Sequence, residues 1–554
     1  MTLHIGTSAL DASLDFDTLS RGFRWQLPAK FNIAEACLTR HARAMPDAPA
    51  ILRHDVTAKA VDAVSWRQLA DMTARIAAAL SALGLAEGDR IAIQLPQGVE
   101  AVAIHMATYQ LGAIAVPLAT QFGPSAIAHR IAIATPRVFV GTAAAIERFR
   151  AADIGDHMVP NLICVGEDAA PSAIAFGELL TTTPIATNLL AQTTPDAPAM
   201  MLFTSGSTGQ PKGVVHGHRV LIGHLPGIQI AQDFMPRDGD VFWTPSDWAW
   251  AGGLLNALLP ALYYGVPVVA ANAPRFSAAW ALQVLEDCAV TNVFMPPTAI
   301  RILASADLAP KKLTLRAVGV AGEALGAKTH AAARLLFDAP VNEFYGQTEC
   351  NAVIGSSARF GIDDPAFTGR ALPGHIVRIR TSDGQIVEQG TGEIVVDIRD
   401  DPVCMLRYHD DPDATAAKIE DGWLRTGDLA ECNAEGLFRF ISRDDDIITS
   451  AGYRIGPAEI EDCLNAHPAV TQSGVIGLAD AERTETIVAF IALAPGHDKT
   501  DTLAGDLKDW VKARLSAHLY PRVVRVIDAI PMTESGKVKR GDLRALASAL
   551  AVED

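Results

Sequence analysis

The chain has 554 residues, more than one hydrophobic core normally organises, so at least two domains are expected. Its 63 acidic residues outnumber 46 basic ones, and a formal net charge of −17 argues against a nucleic-acid partner, which demands a positive surface. A composition of 49% hydrophobic and 20% charged residues fits a soluble globular protein, and an acidic whole still allows a locally positive pocket for anionic substrates.

The cysteines at 37, 164, 288, 350, 404, 432 and 463 are odd in number and never spaced as C-x-x-C, so neither a disulfide framework nor a zinc site is indicated. Met1 to Trp25 lacks a cationic start followed by an apolar core, and the longest apolar run, Ala249 to Tyr264, is short and broken by Asn256 and Pro260. A cytoplasmic, reducing location without membrane insertion is expected.

In chain order, Ser65-Trp-Arg-Gln68 has the spacing of a capping box, and Leu69, Met72, Ile76, Leu80 and Leu83 then share one helical face before Gly84. Strand-like Arg90 to Gln94, helical Val99 to Leu111 and strand-like Ala113 to Val116 make a βαβ unit, hence a parallel sheet. Ala199 to Phe203 reads as a buried strand. It feeds Thr204-Ser-Gly-Ser-Thr-Gly-Gln-Pro-Lys-Gly213, whose glycines free the backbone to turn and present N–H groups to an anion. Hydroxyls of Thr204, Ser205, Ser207 and Thr208 add donors, Gly206 and Gly209 the turns, and Lys212 a point charge for phosphate. The G-x-x-x-x-G-K-[ST] loop does not fit, because position 211 is proline and Gly213 follows the lysine.

A second strand–helix series runs through Val266–Ala270, the helix from Ala278 to Cys288, Val293–Met295 and Ala317–Ala321, implying a second parallel sheet. After Gly374 come short β-runs with an Asp383-Gly384 hairpin signal, read as a small β-barrel or an antiparallel patch. The charged Ser442 to Asp446 marks a boundary. Beyond it lie a helix from Pro457 to Asn465, strands at 473–477 and 487–493, a helix at 503–516 and a strand at 523–527. The expected architecture is α/β, with a large domain at 1–444 and a smaller α+β domain at 445–554.

Besides the 204–213 loop, the chain carries Ala321-Gly-Glu-Ala324, Tyr345-Gly-Gln-Thr-Glu349, Trp423-Leu-Arg-Thr-Gly-Asp428, Arg443-Asp-Asp-Asp446, Ala451-Gly-Tyr-Arg-Ile-Gly456 and Pro531-Met-Thr-Glu-Ser-Gly-Lys537. Together these resemble the acyl-adenylate-forming family, which includes acyl-CoA synthetases, peptide-synthetase adenylation domains and firefly-type luciferases. The resemblance spans essentially the whole chain.

It implies ATP, Mg²⁺ and coenzyme A as reactants and cofactor, with a carboxylic acid as substrate. Glu349 would hold Mg²⁺, which wants carboxylate oxygen. Asp428 would accept the ribose hydroxyls, and Arg443 would reach the ribose or α-phosphate. Gly322 and Glu323, with Glu343, Phe344 and Tyr345, would form the adenine pocket, continued by Gly346, Gln347 and Thr348. Lys537 would be the adenylation lysine, with Thr204 beside the phosphates. The smaller domain would rotate about Asp445 for thioester formation, with Gly452 and Tyr453 along a pantetheine tunnel. Arg454 would engage phosphate there, and Arg483 and Arg522 the CoA nucleotide. Trp248 or Trp250 would wall the acyl pocket, and Gly346, where acetate-specific relatives place tryptophan, would leave its floor open.

The reading is an AMP-forming acyl-CoA synthetase for a short- to medium-chain acid. The alternatives are an aryl-CoA ligase, a stand-alone enzyme loading a carrier protein, and a nucleotide-binding protein without catalysis. A homo-oligomer is left open.

Overall fold

The computed structural model describes residues 10–55, 58–154, 159–168, 170–184, 189–204, 211–273, 275–306, 312–443, 446–450, 453–480, 484–500, 502–515, 519–533 and 537–550. The capping box forms as read. Ser65 Oγ accepts the Gln68 N–H at 3.2 Å and Gln68 Oε1 accepts the Ser65 N–H at 2.8 Å, starting the helix Trp66–Ala82. Leu69, Ile76 and Leu80 are fully buried along it, and Gly84, at φ +81°, ends it in the left-handed conformation that glycine adopts without strain.

The βαβ unit also forms, with Arg90–Gln94 parallel to Ile114–Pro117 and the helix Val99–Gln110 buried all round between them. These strands sit inside an eight-stranded sheet in the order Arg407–Tyr408, Lys212–Gly217, Pro198–Thr204, Ile114–Pro117, Arg90–Gln94, Val138–Thr142, Asn161–Val165, Ile174–Ala175. The second series builds a nine-stranded sheet. Val341–Gln347, Ala317–Val320, Asn292–Met295, Phe242–Trp243, Val268–Ala271 and Pro49–Asp55 form its parallel interior, and Ala60–Ser65, Asn351–Gly355 and Arg370–Ala371 add antiparallel edges. One apolar core serves both sheets, joining Ile91 and Ile93 of the first to Ile51 and Val268 of the second.

The region after Gly374 is an antiparallel sheet of six strands, including the hairpin of Val377–Arg380 with Ile386–Val387. Gly384, at φ +86°, occupies the turn. Among the described residues no pairing closes this sheet, so the barrel alternative is replaced by the open antiparallel one; its two ends are short strands that exhaust their partners. The strand Phe438–Arg443 belongs to this sheet, whereas Ile448–Ser450 already belongs to a separate five-stranded one. That last sheet, with helices Pro457–Asn465, Leu503–Arg514 and Arg540–Leu550, has its own apolar clusters around Leu507, Ile491 and Phe490. Among the described residues no helix is long and apolar enough to cross a membrane. All seven cysteines are free and buried.

Candidate active site

Parallel strands release their ligand-facing residues at their carboxyl ends. Here Phe203 and Thr204, Phe294, Ala321 with Gly322, and Glu343 to Gln347 all lie at such ends, from both large sheets. They converge on one cavity of about 460 Å³, closed on its other side by Lys537, Arg540 and Glu461 of the C-terminal lobe.

The 204–213 segment joins two antiparallel strands, since Thr204 pairs with Lys212 across the sheet. It is therefore a hairpin loop, not a strand-to-helix turn. Ser205, Gly206, Ser207, Thr208 and Gly209 lie outside the described residues, whereas Thr204 lines the cavity. Lys212, paired with Thr204, is not among the residues on the cavity wall; its ammonium stands 4.0 Å from Asp411 and 5.2 Å from the Tyr408 ring centroid.

Asp428 and Arg443 face each other on neighbouring strands, with Nη1 3.8 Å from Oδ1. The other carboxylate oxygen, Oδ2, accepts the Tyr345 hydroxyl at 2.6 Å and a short bond from Gln347 Nε2. Gln347 Nε2 also reaches the Thr426 carbonyl at 2.8 Å, and Lys418 Nζ lies 3.4 Å from Gln347 Oε1 and 3.2 Å from the Thr426 carbonyl. One oxygen of Asp428 is thus held by the protein, which leaves Oδ1 facing the cavity side with Arg443. The Tyr345 hydroxyl is kept protonated, first by burial and then by the adjacent Asp428 charge.

Glu343 stands on the cavity wall with Oε1 accepting the Leu325 N–H at 3.1 Å. Burial, with a smaller push from Asp462, raises its carboxyl to about 8 against the opposing Leu325 bond. A carboxyl neutral at pH 7 can donate as well as accept, which suits a purine edge. Glu323 is also on the wall, with its carboxylate engaged by Arg301 and, at 2.7 Å, by the Thr298 hydroxyl. Beside it Gly322 has φ +101°, a backbone that glycine supplies without strain. Glu349 is 8% exposed, lines the cavity, and accepts the Tyr408 hydroxyl at 2.7 Å on Oε1. Among the described residues no cluster of three acidic, histidine or cysteine ligands exists; a single buried carboxylate such as Glu349 is the kind of ligand a phosphate-bound Mg²⁺ would take.

The two tryptophans separate cleanly. Trp248 is 3% exposed, packs in the main core and is not among the residues on the cavity wall. Trp250 does line the cavity and stands edge-on to Phe122 with centroids 5.8 Å apart. Phe203, Phe294 and Phe344 continue that apolar end, and Asn256, from a π-type turn at Leu254–Leu258, is the polar group among them. Gly346 lines the cavity too, but a Cβ on it would lie 1.4 Å from the Asn351 carbonyl oxygen. The close approach of the strand Asn351–Gly355 thus already requires glycine here, whatever room it leaves in the cavity.

Asp445, Gly452 and Arg483 lie outside the described residues, and Tyr453 and Arg454 are described only as backbone of the strand Tyr453–Ile455. Arg522 is away from the cavity, with its guanidinium 4.1 Å over the Tyr520 ring. Thr348 is on the wall, and its carbonyl faces the buried His216 Nε2 at 2.8 Å.

The model of the AMP-binding enzyme family matches residues 38–405, and that of the AMP-binding enzyme C-terminal domain matches 459–537. The chain belongs to the AMP-binding enzyme family. This AMP-binding enzyme is 30% identical over 485 residues to an uncharacterised acyl–CoA ligase of Bacillus subtilis, covering 87% of this chain and 90% of the relative. It is 29% identical over 547 residues to the mitochondrial acyl-coenzyme A synthetase ACSM3 of Rattus norvegicus, covering 96% and 93%. A crystal structure of a Brucella canis acyl-CoA synthetase superimposes with a TM-score of 0.72 at 30% identity, over 98% of this chain and 99% of that one.

The sequence reading of this AMP-binding enzyme missed Lys418, Arg301, Phe440 and the Glu461–Arg540 pair, all on the cavity wall. None sits in a glycine-rich or repeated pattern; only the tertiary approach of separate elements makes them site residues.

Proposed function

We propose that the enzyme activates a short- to medium-chain aliphatic carboxylic acid and delivers it to CoA. In class it is an AMP-forming acid–CoA ligase, with ATP, a carboxylic acid and CoA as reactants. The chain-length reading is supported by one observation: the apolar side chains Trp250, Phe203, Phe294 and Phe344 line the same cavity as Glu349, Asp428 and Lys537.

In the first half-reaction an oxygen of the ionised substrate carboxylate attacks the α-phosphorus of ATP, forming acyl-AMP and releasing pyrophosphate. No general base is required, because a carboxylate is ionised at neutral pH. Asp428 Oδ1 accepts ribose hydroxyl, and neutral Glu343 faces the base. Lys537 offsets the negative charge that builds as the carboxylate and phosphate oxygens approach. Glu349 would hold Mg²⁺, which supplies charge neutralisation on the phosphates. In the second half-reaction the CoA thiolate attacks the acyl carbonyl, AMP leaves, and a rotation at Asp445 takes Lys537 away. Arg483, Arg522 and the Gly452–Arg454 segment are the proposed CoA contacts.

A second reading, an aryl acid, is favoured by the flat aromatic walls. Pyrophosphate release measured across acetate, butyrate, hexanoate, octanoate and benzoate, with and without CoA, separates the two. Highest kcat/KM for butyrate to octanoate supports the aliphatic reading, and a preference for benzoate overturns it.

A further inference from the structure

Lys537 and Arg540, three residues apart, both reach the cavity wall, and the structure uses them differently. Lys537 stands on a narrow hairpin in which Met532 pairs with Val538. The Lys537 N–H donates to Thr533 Oγ1 at 2.9 Å, and the Thr533 N–H donates to the Lys537 carbonyl at 2.6 Å. The helix Arg540–Leu550 begins immediately after this hairpin. Arg540 donates from Nη2 to both oxygens of Glu461, at 2.7 and 2.8 Å, from Nη1 to Asp446 Oδ2 at 3.2 Å, and from Nε to the Val475 carbonyl at 3.1 Å. Glu461 Oε1 also accepts the Val475 N–H at 2.8 Å.

A guanidinium whose three nitrogens bind one carboxylate, a second carboxylate and a backbone carbonyl is both neutralised and fixed in direction. It is a poor ligand for phosphate and a good clamp. The partners show what it clamps. Glu461 lies on the helix Pro457–Asn465, and Asp446 lies between Phe438–Arg443 and Ile448–Ser450, where the chain passes from the large lobe to the small one.

We propose that Arg540 is a positioning residue for adenylation, tying the base of the Lys537 hairpin to the helix Pro457–Asn465 and to the lobe junction at Asp446. The proposal rests on the adenylation role proposed for Lys537. Without the clamp the hairpin keeps its fold but loses its bearing, and an ammonium displaced by about 1 Å costs rate rather than substrate affinity.

The test uses the full-length enzyme in two assays, acid-dependent pyrophosphate release and CoA-dependent consumption of supplied acyl-AMP. Arg540→Met should lower kcat for pyrophosphate release at least tenfold while the KM for ATP and the rate from acyl-AMP stay within about twofold. Arg540→Lys should recover part of the loss, since one ammonium can bind the Glu461 carboxylate but cannot also reach Asp446 and the Val475 carbonyl from separate nitrogens. Glu461→Gln, which keeps the partner's shape, should give the same one-sided defect. Equal loss in both assays, or unfolding of all three variants, would mean that the cluster merely holds the lobe together and would overturn the proposal. Unchanged kcat would overturn it as well. Lys537→Ala is the control: if it spares pyrophosphate release, the Lys537 assignment fails first, and if only the Arg540 and Glu461 variants spare it, the clamp alone fails.

Discussion

At the residue scale, the division of labour is between groups whose charge is free to act and groups already consumed by the protein. Asp428 Oδ2 and the Arg540 guanidinium are committed, whereas Lys537 is exposed on the cavity rim. Lys537→Ala should abolish acid-dependent pyrophosphate release while CoA still consumes supplied acyl-AMP, and equal loss of both rates in a folded protein would sink the assignment. Gly346 teaches a different lesson. Replacing it with tryptophan cannot simply fill the pocket, because the first side-chain carbon already meets the Asn351 carbonyl. Gly346→Trp should therefore lower the midpoint of thermal unfolding and the rates for all acids together. On the proposed function, Trp250, at the apolar end of the cavity, is the residue expected to tune chain length. Trp250→Ala opens the apolar end, and each further methylene buried is worth about 0.8 kcal/mol. Room for two more should raise the octanoate-to-butyrate ratio of kcat/KM by roughly tenfold, at about 1.4 kcal/mol per decade. An unchanged ratio would place the acyl chain elsewhere in the cavity.

At the scale of elements, local rules and tertiary demands can be told apart. The helix Trp66–Ala82 is written locally, by its capping box and its apolar stripe, and Ser65→Ala should cost about 1 kcal/mol of stability with no change in kcat. Chemical denaturation reads that directly. The proposed rotation at the lobe junction would follow a different logic, since it needs freedom about a few dihedrals. Asp445→Pro would fix φ at one position and should leave acyl-AMP formation intact while slowing thioester synthesis. Normal thioester rates would show that the rotation pivots elsewhere. Much at this scale was legible: Ser65, the Arg90–Gln94 and Ile114–Pro117 pair, and the Asp383-Gly384 turn are each specified by neighbours in sequence. The hairpin nature of the 204–213 loop was not, because its second strand begins at Lys212 and was read as the loop's own charge.

For the whole molecule, burial of titratable groups sets the response to pH. His41, His105 and His216 are pushed down to about 4, and His218 and His224 to about 3, in each case chiefly by burial. Their folded values lie below the free value near 6.5, so the unfolded chain binds more protons on acidification. Their contribution to stability is complete above pH 6.5 and is lost as pH falls from there toward 3–4, by about 1.4 kcal/mol per unit for each group within its window. Glu343 acts oppositely. Its raised value means that the folded state holds a proton the unfolded state has released, so stability falls between pH 4.5 and about 8. Asp462, raised by burial to about 6, acts in the same sense as Glu343, but five histidines outweigh the two carboxyls, so the midpoint of thermal unfolding followed from pH 4 to 9 should rise to about pH 6.5 and then decline gently. A flat acid limb would show that the histidines are hydrated in the fold.

Taken alone, the amino-acid order determined the element types and the chemistry on offer. Strand–helix alternation, caps and turn glycines act over a few residues, and the motifs at 345–349, 423–428 and 531–537 carry their functional groups within one short segment each. What only the tertiary structure decided were relations across long separations. Pro49–Asp55 and its hairpin partner Ala60–Ser65 join a sheet whose other strands all lie beyond residue 240, and Lys418 reaches Gln347. Trp248 turns into the core while Trp250, two residues on, faces the cavity. Arg540 finds Glu461 and Asp446. These depend on which faces the packed sheets leave open and which backbone segments approach within bonding distance, and no local pattern in the chain encodes that.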